Sequence, residues 1–134
     1  MMRFSVLLLS ILMGIVSCGQ GLPVVKRVNE LAPPRGVEIR KESGQLILRW
    51  QPSFHVQSPE FDGYAIYIAN RSLMFAPLTD LPAPILVPND VTRFALSDFD
   101  STGLYFIHVR SRKRNGDVSL PSLPELVWPE RGAP

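Results

Sequence analysis

The residue types that do most enzymatic chemistry are scarce in this chain of 134 residues. Its two histidines, His55 and His108, stand apart, and neither has a second metal-ligating residue at ligand spacing beside it. Glu60 with Asp62 and Asp98 with Asp100 are paired carboxylates, a pattern that can touch a calcium ion or share acid–base work. In turn-rich sequence without a third partner they read as solvated turn residues. Cys18 is the single cysteine, so no intrachain disulfide forms. There is no glycine-rich phosphate loop, and no serine stands in a nucleophile-elbow context. These observations assign no catalytic residue, no metal and no cofactor.

A better candidate for function lies on a strand. In Tyr105, Phe106, Ile107, His108, Val109, Arg110, Ser111, apolar Tyr105, Ile107 and Val109 alternate with Phe106, His108 and Arg110. A period of two is that of a strand with one face in a core. Tyr64, Ile66 and Ile68 alternate with Ala65 and Tyr67 in the same way. If the two strands pair, Tyr67, Phe106, His108, Arg110 and Arg112 form one outward aromatic and basic patch, made of side chains enriched at binding hot spots. That patch is the candidate binding face, and its expected partner is a protein or a glycan.

The elements that position it are short strands. Pro33-Pro34 followed by Val37 and Ile39 reads as an edge strand. Ser43-Gly44 is a turn, after which Leu46, Leu48 and Trp50 face inward while Ile47, Arg49 and Gln51 face water. A short strand is expected around residues 73–75, and prolines at 77, 82, 84 and 88 are expected to stop regular structure beyond it. A further strand carries Phe94 and Leu96 inward and reaches a corner at residues 98–103. Asn115-Gly116 predicts a type I′ hairpin turn, and a last strand, interrupted by Pro121 and Pro124, runs from Val118 toward Trp128. No apolar period of helical length appears, so the fold class is all-β, with seven strands in a sandwich.

Ahead of this domain, Arg3 and the uncharged apolar residues 4–16 have the layout of a signal peptide, too short to span a bilayer comfortably. The formal charge of +2 includes Arg3, so the mature chain is nearly neutral and no nucleic acid partner is expected. Thirteen prolines and nine glycines without a period indicate turns and edge strands rather than a fibrous repeat.

Two resemblances follow from these residues. Ile15-Val16-Ser17-Cys18 resembles the lipobox of bacterial lipoproteins, which implies cleavage before Cys18 and lipid on its sulfur and new amino group. That gives residues 1–17 as signal peptide, 18–32 as a lipidated tether, 33–129 as the domain and 130–134 as a tail. The implied address is the bacterial cell envelope, with Gly19 after the cysteine favouring the outer membrane. The domain resembles fibronectin type III. The match runs through Leu46-x-Leu48-x-Trp50-x-Pro52, Gly63-Tyr64-x-Ile66, Phe94-x-Leu96-x-x-Phe99 and Thr102-Gly103-Leu104-Tyr105-x-Ile107-x-Val109-x-Ser111. It implies a seven-stranded antiparallel immunoglobulin-like sandwich, with one sheet of strands A, B and E and the other of C, C′, F and G. It also makes Tyr105 a structural tyrosine corner. The implied function is a non-enzymatic, membrane-anchored binding or scaffolding module. The alternatives are a surface adhesin for host matrix and an accessory module of an envelope hydrolase.

Overall fold

The alternation of Leu46, Leu48 and Trp50 with Ile47 and Arg49 builds one strand of a two-sheet structure that a computed structural model describes over residues 31–97 and 102–130. Its strands are β1 (Arg35–Glu42), β2 (Gln45–Gln51), β3 (Phe61–Ala69), β4 (Ile85–Pro88), β5 (Arg93–Leu96), β6 (Tyr105–Lys113) and β7 (Leu126–Trp128). One sheet has the order β1-β2-β5 and the other β4-β3-β6-β7, with every pairing antiparallel. This is the all-β sandwich that the alternating pattern and the resemblance imply.

The core between the sheets is built from the expected inward residues. Leu48, Trp50, Tyr64, Ile66, Leu96, Ile107 and Val109 are buried together, and Phe94 packs half-buried against them. Trp50 and Tyr64 meet edge to face at 5.3 Å, and Phe61 and Tyr64 at 5.2 Å. Each such pair adds roughly 0.5–1.5 kcal/mol beyond the area it buries.

The turns differ from the expectation in an instructive way. Ser43 and Gly44 have φ of 48° and 81°, and Glu42 pairs with Gln45, so the type I′ turn joins β1 to β2. At Arg114-Asn115-Gly116 only the glycine takes positive φ, 91°. There the Gly116 N–H donates to the Lys113 carbonyl at 3.0 Å and the Lys113 N–H to the Asp117 carbonyl at 2.8 Å. That is a three-residue loop closed by a glycine bulge, which needs one left-handed residue rather than two.

Two strand expectations are corrected. No strand forms at residues 73–75; the fourth strand is β4, which lies among the prolines expected to exclude it. An edge strand uses only one row of backbone groups, so Pro88 can end β4 opposite Gly63 without removing a needed donor. Gly63 has φ of 143°, and a Cβ there would run into the Val87 carbonyl, which is why the β3–β4 contact requires glycine. The last strand is also shorter than expected. Val118 makes a single bridge to Arg112, and regular pairing resumes only at Leu126–Trp128.

The domain's packing takes in the end of the expected tether. Leu31 is buried, and the Ala32 carbonyl accepts hydrogen bonds from Ser53 Oγ at 2.6 Å and Ser111 Oγ at 2.7 Å. The Ala32 N–H donates to His55 Nδ1 at 2.8 Å. Cys18, the signal peptide and the corner at residues 98–101 lie outside the described residues. The Tyr105 ring folds back over Gly103, where a Cβ would come within 2.7 Å of it. The ring is half-buried.

Candidate functional site

Register brings the expected face together. Along the β3–β6 pair, Tyr67 lies opposite His108, Ala65 opposite Arg110, Ala69 opposite Phe106 and Gly63 opposite Arg112. The Tyr67 and His108 rings stand 5.2 Å apart, and the Arg110 guanidinium lies 5.8 Å from the Tyr67 ring centre. Arg110 Nε donates to His108 Nε2 at 3.2 Å, and Nη1 donates to the Ser119 carbonyl at 2.9 Å. The histidine therefore accepts at Nε2 and carries its proton on Nδ1.

That this face is open, as the alternation leads one to expect, is not the case. Tyr67 is 6 % exposed, His108 0 % and Arg110 3 %. Residues 70–84 lie over them as a strap. Leu73 is buried in a second apolar cluster with Ala65, Tyr67 and Val118, and Ala76, Leu78 and Leu81 pack around it. Alternation assigns a side chain to a face, but it carries no information on whether a remote segment covers that face. Small Ala65 and Ala69 on β3 leave room for the strap to approach.

Burial sets the electrostatics. Desolvation, followed by the charge of Arg110, holds His108 down to about 4 from its ordinary 6.5, so the ring is neutral at pH 7. Burial also pushes the Tyr67 hydroxyl up and Arg110 down from their ordinary values, each moderated by the other's charge. Arg112, half-buried, pairs with Asp62 at 2.6 Å, and Lys113 pairs with Glu60 at 2.8 Å. The Glu60 and Asp62 carboxylates are thus occupied in ion pairs at the hairpin. Among the described residues no three of His, Cys, Asp and Glu gather as a metal site.

Phe106 remains accessible. It lines an open groove of about 510 Å³ with Glu125, Leu126, Val127 and Glu130. Phe106 pairs with Val127 across β6 and β7, and both line the groove together with Leu126, Glu125 and Glu130. The β7 residues were not singled out from sequence, because a proline-interrupted last strand reads only as an edge. The spacing of Glu125 and Glu130 about an apolar run was the one available signal.

No family model matches the sequence, and no curated protein matches it. Solved structures do match. An Fn3-like protein from Clostridium thermocellum is similar with a TM-score of 0.50 at 17% identity, over 74% of this chain and 92% of that one. An FN3 domain of human collagen XX is similar with a TM-score of 0.50 at 18% identity, over 74% of this chain and 91% of that one. With three strands in one sheet, four in the other and these likenesses, the chain has the fold of a fibronectin type III domain.

Proposed function

We propose that this protein is a non-enzymatic binding module, held at a bacterial envelope membrane by lipid on Cys18. Fibronectin type III-like domains are generally non-catalytic modules, so function rests on surfaces rather than on the fold itself. The observation that carries the reading is the groove lined by Phe106, Leu126, Val127, Glu125 and Glu130. An aromatic ring and apolar side chains beside the Glu130 carboxylate fit a partner protein segment that offers an apolar side chain next to a lysine or arginine. Anchoring supplies the rest of the mechanism. Two or more acyl chains, at about 0.8 kcal/mol per buried methylene, hold the domain at the surface, where local concentration lets a weak contact persist.

Cross-linking and pull-down from intact membranes test the groove. Phe106→Ala and Glu130→Lys are expected to lose the partners that the parent recovers, and equal recovery would remove the groove from consideration. Metabolic labelling with palmitate tests the anchor: the parent is expected to incorporate label and Cys18→Ser to lose it.

A further inference from the structure

Residues 70–84 include Pro77, Pro82 and Pro84, which cannot donate to a backbone ladder, so side-chain burial and a few polar ties must hold the segment. Leu73 supplies the burial. Glu125 supplies the tie, accepting from Ser72 Oγ at 2.6 Å and from the Leu73 N–H at 2.8 Å. Further bonds lie within the strap, from the Ala76 N–H to the Leu73 carbonyl at 3.1 Å and from the Asp80 N–H to the Pro77 carbonyl at 2.9 Å. Phe75, two residues beyond the plug, is 97 % exposed. A segment held by one fully buried side chain, three partly buried ones and one carboxylate opens at less cost than the ladders beneath it.

What lies below differs from an ordinary core. Arg110 is buried, and no carboxylate of the described residues stands within ion-pair distance of it. Its contacts are a neutral imidazole, a carbonyl and an aromatic ring. His108 Nδ1, which carries the ring proton, has no partner among the described residues. A buried cation without an anion is costly, and apolar side chains of the same volume would serve packing better. The unpaired guanidinium is complementary to a carboxylate, and the Nδ1–H, on the other edge of the ring from the Nε2 that meets Arg110, is a second donor for an acidic segment. We propose that residues 70–84 are a displaceable strap over a concealed interaction surface of Tyr67, His108 and Arg110. This surface receives an acidic, apolar segment of a partner protein in place of Leu73.

Leu73 variants of the full chain test both parts. Diethyl pyrocarbonate acylates accessible neutral imidazole, and exposed His55 serves as the internal reference. In Leu73→Ala, labelling of His108 relative to His55 is expected to rise about tenfold more than amide exchange at Ile107 and Val109 rises. No rise, or a rise matched by faster exchange at those two amides, would mean that the face opens only with the whole domain and would overturn the strap. The charge complement is read by Leu73→Asp against Leu73→Asn, which have nearly equal volume. The aspartate variant is expected to unfold at the higher temperature, with the advantage lost when Arg110→Met is added. An advantage for asparagine, equal midpoints, or failure of the aspartate variant alone to fold would overturn it. Neither readout involves Phe106, Glu130 or a captured partner, and Glu125, which lines the groove and ties the strap, is unchanged in every variant, so the concealed surface and the groove fail separately.

Discussion

The outward faces of the two sheets keep water from their apolar residues by different means. On β1-β2-β5 the face is a charged lattice. Arg40 pairs with Glu38 at 2.9 Å, and Glu42 pairs with Arg49 and with Arg93 at 2.6 Å each. Ile47 lies in the middle of that lattice, opposite Arg40 and Ala95, and is buried, because long arginine and glutamate stems flank it while their charged ends stay in water. On β4-β3-β6-β7 the same alternation places Tyr67, His108 and Arg110 outward, yet they are dry because the strap lies on them. Charged groups on the first face remain solvated and interact weakly. Those on the second are desolvated, so their interactions are stronger and their protonation states shift.

The comparison is broken most severely at the strap. Leu73→Ala removes the buried plug and is expected to destabilise the domain by about 2–5 kcal/mol, measured by chemical denaturation. A loss below about 1 kcal/mol would mean that the strap adds little to the fold.

The second effect is a pH dependence confined to the strapped face. His108 is held down to about 4, so between pH 6.5 and 4 the unfolded chain binds a proton that the folded chain does not. Stability is complete above pH 6.5 and falls as the pH drops through that window, by on the order of 3 kcal/mol in all. His108→Gln is expected to flatten this part of the profile; an unchanged slope would assign it to other groups.

Arg110→Met sharpens the contrast further. It keeps the stem and removes a buried cation that has no described anion, and is expected to leave stability within about 1 kcal/mol of the parent. A loss of several kcal/mol would show that the guanidinium is held for stability. On the charged face, Glu42→Gln removes the carboxylate that both arginines share, and its pKa is lowered chiefly by the hydrogen bond from Arg93. Because that carboxylate is open to solvent, the expected loss is small and shrinks with added salt.

The sandwich itself was legible because its signal is local. Trp50, Tyr64, Ile66, Ile107 and Val109 each lie in an alternating run, and period two is the geometry of the strand that buries them. The same period correctly placed Tyr67, Phe106, His108 and Arg110 on one face. What covers that face was not legible, since Leu73, Ala76, Leu78 and Leu81 sit among prolines at spacings that match neither strand nor helix. Their burial depends on where the chain crosses, which is a tertiary fact. β4 was missed for a related reason: prolines argue against a central strand, while an edge strand accepts them. At the hairpins, Asn-Gly is the stronger sequence signal, yet Ser43-Gly44 takes the type I′ turn, because direct pairing of Glu42 with Gln45 leaves only two residues for the loop.

The sealed outer face is tested most directly by nuclear magnetic resonance titration of His108 in the full chain. The ring is expected to stay neutral, with its proton on Nδ1, until the pH approaches about 4. A midpoint near 6.5, the value of an imidazole in water, would contradict it and show the face open to solvent.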